Sequence, residues 1–323
     1  MRIFLIILWA FLAIFSLGIG QYSLGIGEIL KILLGRGDSV ASSVIFTIRI
    51  PRILLASLCG GTLALAGLCL QSVFKNPLVG PNIIGISTAS ALGGALAILF
   101  GFASTLLPLC AFIFGVIALL CLFFLAKFVR KTDIFSLILA GIVINGLFSA
   151  LISLTQYVAD DENILPNIIY WLLGSFASAN YDKLVLCAAV SIPCIIILIL
   201  MRFRFNLLSL GDADLKALGV NVAALRIGIL VLCTLLISAQ VSVSGNIGWI
   251  GLVIPHIARI VCGSDNIRSL PACFILGAIF MLIIDDASRG IFPAEIPISI
   301  LSALIGSPIF AILLKRSVGG KSS

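Results

Sequence analysis

Long apolar runs alternate with short polar ones along the whole chain, and the spacing of that alternation predicts its elements. Coiled as helices, runs of roughly 17–25 residues match the hydrocarbon thickness of a bilayer. Such runs fall at 3–17, 50–74, 83–102, 106–128, 134–158, 184–201, 227–243, 249–262, 270–286 and 296–314, the one at 249–262 being short. Ile164 to Leu173 is shorter still and predicts an extra helix that does not cross. The pattern is that of an all-α polytopic membrane protein with about ten transmembrane helices and both termini on one side. The first run follows Arg2 as a signal peptide would, but no A-x-A site succeeds it, so it is expected to stay as an uncleaved span.

The polar intervals predict turns and connections. Tyr22 to Thr47 carries Glu28, Lys31, Arg36 and Asp38 and reads as extramembrane chain. KNPLVGPN, the acidic run from Asp160 to Glu162, SVSGNIG, SDNIRS and SRGIFPAEIP have the prolines, glycines and charges of loops. A further interval is a polar island from Arg202 to Arg226. Within it Asp212 is placed to cap a short helix, Asp214 suits its first turn, and Gly219 suits its left-handed end, followed by Val220. Asn221 is placed to cap the next helix. Leu215 and Leu218, on either side of Lys216, share one face. Apolar residues on a capped helix outside the membrane need a cover, which a partner or the bilayer surface itself would supply.

Two spans carry internal patterns. Gly60, Ala64, Gly67 and Gln71 line one face of the second, where small residues permit close helix packing. Gly141, Asn145, Ser149, Ser153 and Gln156 form a polar stripe on the fifth. Polar side chains at that depth face either a neighbouring helix or a water-filled path.

Composition agrees with the pattern. The 323 residues are 61% hydrophobic and 10% charged, with a mean hydropathy of +1.29, so residues 1–323 are expected to form a single membrane domain. The net charge of +7 does not point to nucleic acid, because the basic residues collect between spans. Arg2, Lys75, Lys127, Arg130, Lys131, Arg202, Arg204, Lys216, Arg226, Arg259, Arg268, Lys315, Arg316 and Lys321 fall on one side. Lys31, Arg36, Arg49, Arg52, Lys183 and Arg289 fall on the other. The positive-inside rule makes the first side, with both termini and the 202–226 island, cytoplasmic. The nine cysteines have no C-x-x-C spacing and read as small buried hydrophobes.

Catalytic and metal chemistry finds little support. The tail SVGGKSS imitates a phosphate-binding loop, but Lys315 stands where the motif requires glycine. Ser244 and the single histidine, His256, lack the context of a serine protease. Asp285 and Asp286 are adjacent, so on a helix they point in different directions and are expected to serve the helix end near Arg289. No metal site is expected. Arg49 and Arg52 share a face at the outer mouth of the second span, with Arg289 level with them. They read as interface residues or as receivers of a partner's carboxylates.

Five stretches in order, RIPRILLASLCGGTLALAGLCLQSVFKNPLVGPNIIGIS from Arg49, WLLGSFASAN from Trp171, LGDADLKALGVNVAALR, SGNIGWIGLVIPHIAR from Ser244 and AEIPISILSALIGSPIF from Ala294, resemble the permeases of iron-siderophore, haem and cobalamin importers. The resemblance covers nearly the whole chain. It implies the type II ABC importer permease fold, in a bacterial inner membrane, with a second permease, identical or related, completing a dimer. It also implies two copies of a cytoplasmic ABC ATPase, which would hold ATP and Mg, and a periplasmic or lipid-tethered substrate-binding protein. The permease itself would bind no cofactor and catalyse no reaction.

By resemblance, Asp212 to Val220 is the segment that couples to the ATPase, and Arg49, Arg52 and Arg289 meet glutamates of the binding protein. The fifth and tenth spans and the short helix before Trp171 would line the path. Thr132, Asp133 and Ser136 would lie near a cytoplasmic gate, although Ile134 and Phe135 depart from the small hydroxyl residues common there. Family usage ranks a ferric siderophore first as substrate, then haem, then cobalamin or molybdate. An ion-coupled secondary transporter is the alternative, and it would need acidic residues in mid-span.

Overall fold

The computed structural model describes residues 1–22, 24–128, 134–160, 162–291 and 294–319, and among them it contains helices and no strand. In chain order these are α1 (Arg2–Ser16), α2 (Ile26–Leu33), α3 (Ser39–Ser43), α4 (Ile50–Val73), α5 (Ile86–Leu99), α6 (Leu107–Phe128), α7 (Ile134–Val158) and α8 (Ile164–Leu173). There follow α9 (Tyr181–Leu200), α10 (Arg202–Leu207), α11 (Asp212–Ala217), α12 (Val222–Ser244), α13 (Ile250–Cys262), α14 (Asn266–Gly290) and α15 (Ile298–Gly319). Among the described residues six helices are long and apolar enough to cross a membrane: Ser39–Val73, Leu107–Lys127, Ile134–Val158, Tyr181–Leu200, Val222–Ser244 and Asn266–Gly290. α1, α5, α8, α13 and α15 are shorter apolar helices.

Three boundaries differ from the hydropathy reading, each for a local reason. The second span is helical from Ser39 rather than Ile50, through a π-helical turn at Val44–Arg49. Pro51 follows at once, and its ring would crowd the carbonyl four residues back in a regular α-helix. The wider turn accommodates it. The third span is only the 14 residues of α5, because Pro81 and Gly85, the latter at φ +80°, keep 80–85 out of the helix. Arg202–Leu207 forms a helix, α10, that hydropathy did not mark.

α4 is the centre of the bundle, packing against α9, α12, α13 and α14. Its small-residue stripe is what allows this. A Cβ on Gly60 would lie 2.3 Å from the carbonyl oxygen of Gly277 in α14, and one on Gly67 would lie 1.9 Å from that of Gly251 in α13. The backbones therefore touch directly, a contact that dispersion and shape, rather than side-chain burial, stabilise in lipid.

Long-range polar contacts sort into two ends. At one, Arg2 donates to Ile267 O at 2.8 Å, Arg259 to Gln71 at 2.6 Å and Asn206 to Asp265 at 2.7 Å. At the other, Ser16 donates to Asp286 at 2.6 Å, and Arg52 meets Asp285 and Glu295. α12 stops inside the bundle. Its last carbonyl, on Ser244, accepts from Ser175 N at 2.9 Å, while Ile298 N at the head of α15 donates to Gly174 O at 3.0 Å and Ser299 Oγ to Asn246 O at 2.6 Å. Irregular backbone at this depth is tolerable because its polar groups satisfy one another.

Candidate functional site

The 202–226 segment folds as two short helices, α10 and α11, packed under α4, α12 and α14. Gly211, not Asp212, is the N-cap of α11, and Asp212 occupies the first helical position. This frees the Asp212 carboxylate for a bidentate pair with Arg226, at 2.8 and 3.0 Å. Lys75 approaches the same carboxylate at 3.7 Å and donates to Leu210 O at 2.6 Å. The hydrogen bonds from Arg226, with the charges of Arg226 and Lys75, hold the Asp212 carboxyl below the usual range against the opposing effect of burial. The helix ends at Gly219, φ +74°, and Asn221 caps α12 by accepting from Ala224 N at 3.0 Å. The two leucines part company: Leu215 is fully buried in the chain's own core, whereas Leu218 is 62% exposed. Asp214 closes the first turn beside Gly211, Lys216 lies in the last turn, and Val220 is half-buried.

Above this platform lies the 75–85 segment. Lys75 begins it in a left-handed conformation, φ +49°. Pro77 O meets His256 Nε2 of α13 at 3.2 Å. Gly85 is packed so closely on α7 that a Cβ would stand 2.9 Å from Asn145 N. With residues 247–252 the segment encloses a cavity of about 260 Å³, lined by Leu78, Pro81, Asn82 and Trp249 among others. Trp249, φ +69°, is the other non-glycine left-handed residue among the described residues. Such conformations persist only where surrounding contacts impose them.

The polar stripe on α7 divides. Gly141 is buried against Ile83 and Ile84, and Asn145 accepts from Thr88 Oγ1 at 2.5 Å. Ser149 and Ser153 are exposed, Ser153 donating back to Ser149 O at 3.2 Å, and Gln156 is half-buried. Thus its lower part meets a neighbouring segment and its upper part stands on an open face. Only 28% of the most apolar stretch of α7 is buried, against 89% for 39–73. Ser136 is buried near the start of α7, while Thr132 and Asp133 lie outside the described residues. α8 docks by Trp171, whose Nε1 donates to Ala91 O at 3.1 Å.

The three arginines expected at an open outer mouth are buried and internally engaged. Arg49 donates to the carbonyls of Leu17 and Tyr22. Arg52 holds Asp285 on one edge, at 2.8 to 3.1 Å, and Glu295 on the other, at 2.7 and 2.9 Å. Arg289 pairs with Asp286 at 2.5 Å, lies 3.5 Å from Asp285, and donates to Ser16 O and Ile19 O. The adjacent aspartates do point apart, Asp285 to α4 and Asp286 to α1. Their charge network ties α1, α4, α14 and the approach to α15 together. Of its carboxylates, Glu295 is the most accessible, at 28% side-chain exposure.

With this geometry in place, comparison with known proteins is decisive. The FecCD transport family matches residues 6–316. The chain belongs to the FecCD transport family. It is 46% identical over 315 residues to the molybdate import system permease protein of Haemophilus influenzae, covering 94% of this chain and 92% of that one. It is 35% identical to the hemin transport system permease protein of Yersinia pestis, covering 97% and 94%, and 34% identical to the Fe(3+) dicitrate transport system permease protein of Escherichia coli, covering 96% and 97%. A solved inward-facing conformation of a putative metal-chelate type ABC transporter superposes with a TM-score of 0.91 at 44% identity, covering 98% of both chains. The fold is that of a type II ABC importer permease, and this FecCD chain is a permease of an ABC importer.

Other chemistries of the FecCD permease come apart in the structure. Ser244 bonds within α12, to Gln240, whereas His256 turns to Pro77 and stacks edge-on against Phe310 at 5.4 Å. Among the described residues no three His, Cys, Asp or Glu side chains form a metal-binding group. Sequence reasoning missed Lys75, Arg226 and Glu295 as partners. Their only signal is charge next to a span, which membrane orientation already accounts for.

Proposed function

We propose that this FecCD permease works as one half of a membrane dimer, driven by an ATPase on its basic end and supplied by a binding protein at the opposite end. The positive-inside rule makes the basic end cytoplasmic, in a bacterial inner membrane. The observation that carries the reading is Leu218, an exposed leucine on a helix made rigid by buried Leu215 and by the Asp212–Arg226 pair. A rigid apolar knob that costs little to desolvate suits insertion into a cleft of a partner. ATP and Mg belong to that partner. The second permease covers the open face of α7, where Ser149, Ser153 and Gln156 then border a weakly polar path.

At the outer end, Arg52 has carboxylates on both edges, so a carboxylate of the binding protein reaches it by exchange with Glu295. Among substrates, the 46% identity to a molybdate permease favours a molybdate-class oxyanion. The iron-chelate reading that family usage ranked first draws on the metal-chelate type transporter at 44% identity and on permeases at 34–37%. The test is to load the cognate binding protein with molybdate, tungstate or a ferric siderophore and measure ATP hydrolysis by the reconstituted complex. Stimulation by the siderophore alone would overturn the oxyanion assignment. Replacing Leu218 with Asp should abolish ATPase attachment while the permease stays folded; normal attachment would refute the role of α11.

A further inference from the structure

The contacts that carry motion from α11 into the bundle can be followed atom by atom, and they converge on Lys75. Its ammonium group donates to Leu210 O at 2.6 Å and lies 3.7 Å from Asp212, which Arg226 grips from the other side. Its own backbone, at φ +49°, is the first residue after the C-cap of α4 and starts the 75–85 segment. That segment is fastened at two further points, by Pro77 O to His256 of α13 and by the close approach of Gly85 to Asn145 of α7. The attachment to α7 falls on the polar stripe. One residue therefore joins the connection into α11 to a segment whose far end touches the path.

We propose that Lys75 is a positioning residue that makes α11 and the 75–85 segment move as one body, so that displacement of α11 reaches α7, the helix that borders the path, at Gly85 and Asn145. This rests on the reading that α11 meets the ATPase. Arg226 alone cannot do the same work, because it leads only into α12, which is continuous with the 202–226 segment anyway. The left-handed backbone at Lys75 is the end of α4, closed by Asn76 N donating to Gln71 O at 3.2 Å, and it turns the chain out of the helix where the side chain meets Leu210. The cavity of about 260 Å³ beside the segment leaves it room to shift.

The experiment uses the complete complex of permease, ATPase and binding protein in proteoliposomes, with Lys75→Met and Lys75→Arg variants. Spin labels enter at Leu78 and at Leu210, just ahead of α11, both exposed, through an unnatural amino acid that spares the nine native cysteines. In the unmodified permease both labels should shift when ATP binds. With Lys75→Met the ATPase should stay attached and hydrolyse ATP. The Leu210 label should still move while the Leu78 label does not, and substrate delivered per ATP should fall roughly tenfold, the worth of one charged hydrogen bond. Lys75→Arg should restore delivery. Concerted movement of both labels with Lys75→Met, or unchanged delivery per ATP, would overturn the proposal. Loss of the ATPase from the Lys75→Met complex would overturn it too, by showing an attachment role instead. A Leu210 label that stays still in the unmodified complex would instead refute the contact between α11 and the ATPase, and this proposal with it.

Discussion

Arg52→Met should destabilise the permease strongly, and the structure sets the size of the effect. Asp285 has no side-chain exposure and takes its close hydrogen bonds from Arg52; Arg289 Nε lies 3.5 Å away. Removing one member of a buried pair costs about 3–5 kcal/mol, because the remaining charge is left without a partner. Arg289 offsets part of that, which puts the expectation near 3 kcal/mol, or about a hundredfold in the folding equilibrium. Glu295 adds little, since a partly exposed pair contributes at most about 1 kcal/mol. The buried cysteines, among them Cys59, Cys69, Cys187, Cys233 and Cys273, provide the assay: a thiol-reactive fluorophore reports unfolding as they become accessible on heating. The midpoint should fall by roughly 6–12 °C on the scaling for larger domains. The double variant Arg52→Met, Asp285→Leu should recover much of the loss, because Asp285 is then no longer a buried charge without its partner and Arg289 keeps Asp286. A midpoint for Arg52→Met within a degree or two of the unmodified protein would refute this account of the network. So would a double variant no more stable than the single one.

Other perturbations have equally definite outcomes. Gly67→Ala places a Cβ against the backbone of Gly251, which no rotamer change relieves; it should cost about 1–3 kcal/mol or more, read by the same thermal assay. Leu215→Asp should unfold the 202–226 segment, seen as faster amide exchange across α11, whereas Leu218→Asp should leave exchange unchanged. The depressed Asp212 carboxyl gives a pH dependence of known sign. A folded-state value below the unfolded one contributes stability that is present above the ordinary carboxylate range, near pH 4, and lost as pH falls through the folded value. The exposed half of this carboxylate limits the effect to less than about 1 kcal/mol. Protection of α11 amides, measured against their intrinsic exchange rates at each pH, should therefore fall below about pH 4, and Asp212→Asn should show the lower protection at neutral pH.

Hydropathy and helix signals made much of this protein legible in one dimension. The apolar runs located the spans because lipid demands helices that satisfy their own backbone, and the extra helix at Ile164–Leu173 was visible from length alone. Gly219 and Asn221 act as local signals said they would, since caps depend on neighbours a few residues away. What the sequence could not reveal were pairings between distant residues. Gly60 was readable as a contact point but not as the partner of Gly277. Arg52 looked like free charge at a mouth because Asp285 and Glu295 are remote from α4 along the chain, and Arg49 because its acceptors, the carbonyls of Leu17 and Tyr22, carry no sequence signal. Leu215 and Leu218 looked equivalent because a shared helical face does not say what covers it. Only the tertiary structure separates them, burying the first, presenting the second, and setting Lys75 between the 202–226 segment and the path, because burial and charge pairing are properties of the packed bundle and not of any one helix.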